Sequence, residues 1–284
     1  MSDIRQRPEA EIFPAQYFFL LTALSSMIMS HHRMSTVAIA VANQKGGEGK
    51  TTTAINLAYG LAKRKLSTLL VDMDPQANTT GIFTHPDQLE KSLYDVFVGR
   101  AQLQEILLPT PEPFLKVAPA KLSLAEFEAL QNSVDAPFVM RDAIAKLKDF
   151  KFIIMDSPPS LALLTINALA AATHVVIPTQ PEKFSIDGMK ALQGTINSIK
   201  NRINPNLQIL GALITQLKPK TVLTKTILPV VSQFFPVFEQ NISDGVAVGE
   251  SHLARKSIYD YAPDSKQARE YQDFITEMLN ELKT

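Results

Sequence analysis

The sequence predicts a doubly wound α/β domain built on a mostly parallel sheet. Three observations predict it. From Thr36 onward, apolar runs alternate with helix-patterned segments, the pattern of a parallel sheet covered on both faces. A glycine-rich stretch, residues 43–52, joins the first apolar run to the first helix. Two later runs end in aspartate, at Asp72 and Asp156. Carboxylates at the C-terminal edge of parallel strands face the ligand crevice of such folds.

Composition narrows the class. The chain has 284 residues, 45% hydrophobic and 20% charged, enough for one sizeable core. Formal net charge is zero, so any contact with nucleic acid must come from a local patch. There is no cysteine, which excludes disulfides, thiolate metal sites and cysteine-ligated iron–sulfur clusters.

Residues 1–33 differ from the rest. Residues 12–29 carry no charge and run for 18 residues, at the lower limit for a membrane span. Glu9 and Glu11 beside Arg5 and Arg7 do not fit a secretory signal, and Pro14 weakens a spanning helix. The segment reads as an N-terminal extension, non-native or disordered, ahead of a domain at 34–284. A membrane anchor is the competing reading, and a chain starting at Met34 is expected to stay soluble and active if the first is right.

The elements follow in order. Residues 36–43 are a predicted strand and 51–65 a helix with Ile55, Ala58 and Ala62 on one face. Residues 67–72 form a near-continuous apolar strand, stopped by Pro75. Short helices are predicted at 92–99 and 101–108, a short strand at 114–118, and helices at 123–131 and 137–148. The strand 152–155 runs into Asp156, and Pro158 and Pro159 stiffen the turn beyond it. A helix at 161–172, a strand at 174–178, a helix at 185–200 and a strand at 207–216 continue the alternation. The segment 221–235 is helix-like, with a kink or break expected at Pro229. A strand at 237–242, an irregular segment and a helix at 264–283 close the chain. In that helix Tyr271, Phe274, Met278 and Leu282 form an apolar stripe. Glu270, Asp273, Glu277 and Glu281 face outward against Lys283 alone, the wrong charge for an anionic membrane surface.

The glycine-rich stretch carries the chemistry. Strand, glycine loop and helix in succession form the context of a phosphate-binding loop. Glycines let backbone N–H groups approach phosphate oxygens, and the following helix points its N-terminus at the same anion. Lys50 supplies a charge for the β- and γ-phosphates, and the Thr51 hydroxyl is placed for Mg²⁺. Asp156, at the end of an apolar strand, is placed to hold Mg²⁺ through water.

The run from Lys45 to Thr52 (KGGEGKTT), the segment 72–78 (DMDPQAN) and the segment 156–159 (DSPP) together resemble the ParA/MinD family of deviant Walker A P-loop ATPases. The resemblance spans about residues 34–284 and is nearest to the ParA/Soj-type chromosome or plasmid partitioning branch. It implies an ATP- and Mg²⁺-dependent ATPase that dimerises around ATP. Lys45 would cross the dimer interface to the partner's nucleotide. The loop Lys45, Gly46, Gly47, Glu48, Gly49, Lys50, Thr51 and Thr52 would hold the phosphates, with Thr52 near the α-phosphate. Asp74 would orient the attacking water, and Lys45, Lys50 and Asp74 form the implied catalytic set. Thr51, Asp72 and Asp156 would serve the magnesium. Turnover would be slow until a partner acts. The implied partners are a second copy of the chain, a ParB-like adaptor and non-specific DNA, in the cytoplasm, with no membrane. The alternatives are a positioning ATPase for a protein or membrane cargo and a weakly hydrolysing nucleotide-binding adaptor; a metabolic P-loop synthetase is a distant third.

Two stretches depart from the family pattern. Glu48 stands where the family usually has a small or apolar residue. Two like charges about 4 Å apart repel by about 4 kcal/mol at an effective dielectric near 20. Glu48 is therefore expected to point outward or to meet a lysine of the partner subunit, and Glu48→Val to bind ATP at least as tightly. Asp244 and Ala247 stand where many relatives have arginines that hold DNA. The remaining basic candidates are Lys218, Lys220, Lys225, Arg255, Lys256, Lys266 and Arg269.

Overall fold

The computed structural model describes residues 36–129, 133–181, 185–218 and 222–282. The readings made above for residues 1–33, Lys220 and Lys283, and for the side chain of Lys225, lie outside them. The fold is the expected doubly wound α/β sheet. Its strands are β1 (Val37–Val41), β2 (Thr68–Asp72), β3 (Leu108–Pro109), β4 (Leu115–Ala118), β5 (Phe152–Asp156), β6 (His174–Thr179) and β7 (Gln208–Ile214). They lie in the order β3-β4-β2-β5-β1-β6-β7, parallel except for the edge strand β3. β1 is central and buried at every position, as its uninterrupted apolar run requires. Its register against β5 pairs Val41 with Asp156, and β2 against β5 pairs Asp72 with Asp156. Both aspartates thus reach the same edge of the sheet.

The helices are α1 (Lys50–Lys63), α2 (Asn78–Phe83), α3 (Leu93–Phe97), α4 (Leu124–Ala129), α5 (Val139–Ile144), α6 (Leu163–Ala171), α7 (Ile186–Arg202), α8 (Val222–Val231), α9 (Val246–Leu253), α10 (Ile258–Tyr261) and α11 (Lys266–Glu281). One face of the sheet is covered by α1 and α11, through Ile55, Leu57, Tyr271, Phe274, Ile275 and Met278. The other is covered by α6, α7 and the shorter helices, through Leu164, Leu169, Leu192 and Ile196. Gly60 lets α1 approach its neighbours: a Cβ there would overlap Ile275 and the Tyr259 ring of α10. Among the described residues no helix is long and apolar enough to cross a membrane.

Several segments differ from the sequence reading. Residues 101–108 are not one helix. A single 3-10 turn, Leu103–Ile106, gives way to β3 because the residue before Pro109 is driven to extended backbone. Residues 237–242 form no strand: Val237 makes an isolated bridge with Ala212, and the N–H groups of Phe238 and Ile242 donate to the Ala212 and Ile214 carbonyls of β7 at 3.1 and 2.8 Å. The N–H groups of Glu239 and Gln240 donate instead to the Glu277 carboxylate, at 2.7 and 2.9 Å, so α11 takes the place of a strand neighbour. Glu270 likewise faces inward and accepts from Ser243 N–H and Oγ, both at 2.8 Å. Glu270 and Glu277 are therefore ties to the preceding loop, not part of an outward acidic face. α8 continues through Pro229 without a break and ends two residues later. Three helices were unforeseen: α2 and α9, both carrying glycine and few strong helix formers, and the single turn α10.

Candidate functional site

The glycine-rich loop lies over the C-terminal edge of β1, as the sequence requires. Gly47 and Gly49 take positive φ, 76° and 85°, which L side chains rarely adopt. Gly49 also packs against Thr215, whose Oγ1 would sit 3.3 Å from an added Cβ. α1 begins at Lys50, so its free N–H groups face the loop's hollow. The Lys50 ammonium donates to the Lys45 carbonyl at 2.8 Å. Burial holds its pKa below the ordinary lysine value, opposed by the nearby Asp156, Asp74 and Glu48 charges. The Lys45 stem lies beside the first turn of α7, where its Cε would stand 3.7 Å from a Cβ on Gly188.

Glu48 does not point outward. It is buried, and its Oε2 accepts the backbone N–H of Gln180 just beyond β6. Its carbonyl accepts from Thr215 Oγ1 at 2.8 Å, and the Gly47 carbonyl accepts from Gln216 Nε2 at 3.1 Å. Asn43 Nδ2 donates to the Pro178 carbonyl at 2.7 Å. The loop is thus clamped to the ends of β6 and β7. The expectation for Glu48 is corrected on this point: a buried backbone donor, not solvent, satisfies the carboxylate.

The three aspartates separate by role. Asp74 lines the cleft beside Lys50 and Thr51, while its Oδ1 accepts from Gln76 N–H at 2.9 Å and fixes the turn into α2. Asp156 is fully buried, and its Oδ2 accepts from Thr79 Oγ1 at 2.7 Å. Its Oδ1 has no hydrogen-bond partner among the described residues. Burial pushes its pKa up, moderated by the Thr79 and Thr51 hydroxyls. Asp72 is also fully buried, but both of its oxygens are engaged. Oδ1 accepts from Asp74 N–H at 3.1 Å, and Oδ2 from Thr80 N–H at 2.7 Å and Thr80 Oγ1 at 2.6 Å. Burial and then the Asp156 charge push its pKa up. Asp72 therefore anchors the segment leading into α2, and Asp156 offers the free oxygen.

The cleft measures about 790 Å³ and is walled by the loop glycines, Lys50, Thr51, Asp74, Asn78, Pro159 and Arg255. A second hollow of about 770 Å³ adjoins it through shared Gly49, Thr52, Gln216 and His252, and extends to Ser243 and Tyr271. Among the described residues no cluster of three or more His, Asp or Glu side chains could hold a metal by itself. A divalent ion here would rest on an anionic ligand, the Thr51 hydroxyl and water, the habit of Mg²⁺. Asp244 is exposed on the rim of the second hollow, and Ala247 lies on α9.

Sequence reasoning missed Thr79 and Thr80, which tie Asp156 and Asp72, and the clamp made by Gln180, Thr215 and Gln216. The pair Thr79-Thr80, directly after the DMDPQAN segment, was the available signal.

Comparison with known proteins agrees with this geometry. An AAA domain family model matches residues 36–209. The chromosome partitioning protein ParA of Myxococcus xanthus is 40% identical over 246 residues, covering 85% of this chain and 87% of that one. The sporulation initiation inhibitor protein Soj of Bacillus subtilis is 37% identical over 245 residues, covering 84% and 97%. Among solved structures, a cobyrinic acid a,c-diamide synthase of Mycobacterium smegmatis with bound ADP and magnesium is 32% identical, with TM-score 0.78 over 88% of this chain and 96% of that one. A plasmid partition protein of Borrelia burgdorferi bound to AMPPNP shares the fold at 23% identity, with TM-score 0.73 over 88% and 99%. The clamped deviant loop, the aspartates at the sheet edge and these similarities agree: the chain belongs to the ParA/Soj-type partitioning family of deviant Walker A P-loop proteins.

Proposed function

We propose that the chain is an ATP-dependent dimeric switch that partitions DNA. One observation carries the nucleotide reading: the desolvated Lys50, Thr51, Asp74 and the N-terminus of α1 line one cleft, with buried Asp156 behind it, close enough for its charge to act on Lys50. A buried cation and free helix N–H groups around one hollow favour a polyanion with its counter-ion. The phosphates of ATP would lie in the loop from Lys45 to Thr52, with the nucleoside directed toward Ser243 and Tyr271. Magnesium would rest on Thr51 and, through water, on Asp156; bound there, it neutralises charge on the phosphates.

Asp74, which lines the same cleft, would orient a water for attack. Asp72 acts behind it, holding the backbone of the turn that carries Asp74. Lys45, beside the first turn of α7, would reach the partner's nucleotide when two copies close over ATP. Positioning and charge neutralisation are nearly all that phosphoryl transfer asks of a protein. The ATP-state dimer would bind DNA without sequence preference, and a ParB-like partner would trigger hydrolysis and release. Lys256, Lys266 and Arg269, with the other basic residues named above, would supply the DNA-phosphate contacts, because Asp244 and Ala247 supply none.

Duplex DNA binding by the full chain, with ATP and with ADP over a salt series, tests the reading. Binding that requires ATP and weakens steeply with salt is expected. ATP-dependent dimers that ignore DNA would move the protein to the positioning ATPases for another cargo, which the exposed Asp244 favours.

A further inference from the structure

Arg255 occupies a costly conformation beside the cleft. It follows α9 with φ at 53°, in the left-handed region where glycine is the default. Its N–H caps the helix by donating to the His252 carbonyl at 3.0 Å. Any residue could make that bond, and glycine would make it without strain. A non-glycine residue held there signals a task for its side chain.

That side chain reaches the cleft which Lys50 and Asp74 also line. Its guanidinium rests on the imidazole of His85, with Nη1 2.9 Å from Nε2. His85 belongs to the segment that follows α2, and α2 is the element tied to Asp72 and Asp156 through Thr80 and Thr79. Arg255 therefore joins the two sides of the cleft mouth. An imidazole is a weak partner for a guanidinium, whereas a phosphate offers charge-assisted, bidentate acceptors.

We propose that Arg255 is a nucleotide phosphate-binding residue, parked on His85 and transferred to the phosphate chain when ATP fills the cleft. The inference rests on the nucleotide reading of the site. Transfer frees His85 and the segment after α2, and so links nucleotide occupancy to the Asp74 side of the cleft.

Two substitutions in the full chain separate this from a purely structural clasp, with Mg·ATP as the probe and affinity read by calorimetry. Arg255→Gly relieves the backbone strain and removes the guanidinium. The expected result is a melting temperature that is kept or raised, with ATP bound about tenfold more weakly, the worth of one charge-assisted contact. His85→Ala releases the arginine, so ATP binding should hold or tighten. A structural clasp predicts that both variants lose melting temperature and affinity together, and that outcome overturns the proposal. Unchanged ATP affinity in Arg255→Gly, while Lys50→Ala abolishes binding, overturns it alone and leaves the site intact. No ATP binding by the wild-type chain overturns the nucleotide reading and this inference with it.

Discussion

Glu48 shows how one residue can change meaning between sequence and fold. On paper it is a carboxylate beside phosphates. In the fold its carbonyl and its carboxylate tie the loop to Thr215 and Gln180. Glu48→Val would strand the buried Gln180 N–H, at a cost of about 1–3 kcal/mol. The expected outcome is a lower melting temperature and weaker ATP binding, with Glu48→Gln much milder because it keeps an acceptor oxygen. Thermal melts and ATP titrations of the two variants check this; a valine variant as stable as wild type would show that the clamp contributes nothing. Asp72 and Asp156 divide in the same way: equivalent by sequence, but one is saturated by Thr80 and Asp74 and the other keeps an unpaired oxygen.

At the scale of elements, close packing of α1 on α10 and α11 depends on Gly60. Adding a methyl there gives about 1 kcal/mol of helix propensity and costs about 1–3 kcal/mol of overlap with Ile275 and Tyr259. Gly60→Ala should therefore lose stability. Gly194 in α7 has nothing within 4 Å of an added Cβ, so Gly194→Ala should gain up to about 1 kcal/mol. Opposite shifts in urea unfolding midpoints are the expected pair; a gain in both would mean that α1 is not held this closely. The sequence made β1, α1, β2, β5 and α11 legible because burial on both sheet faces, or on one helix face, leaves a plain apolar pattern. It made the glycine loop legible because the loop's chemistry is local. It hid the Glu48 clamp, whose partners stand 132 and 167 residues away. It also hid the fate of residues 237–242, where Glu277 takes the backbone donors of Glu239 and Gln240 between two contacts with β7. α9 was obscured by Gly245 and Gly249, and the packing of Ala247 and Val248 against the core gives it an inner side.

For the whole molecule, the strand order is what assembles the site. Placing β1 between β5 and β6, with β2 beyond β5, brings the loop, Asp156, Asp74 and the Gln180 anchor to one edge of the sheet. With zero net charge, the chain has no general attraction for DNA, so a nucleotide-gated surface formed by two copies is the economical route to switching. Lys45, whose stem lies beside Gly188, is the residue on which the proposed closure would turn. The most direct test is the solution mass of the full chain by light scattering, with Mg·ADP and with Mg·ATP, for wild type and Lys45→Ala. The account predicts a dimer of the wild type in ATP alone and a monomer of Lys45→Ala in both. A wild-type chain that binds ATP yet stays monomeric, or one that dimerises regardless of nucleotide, would contradict it.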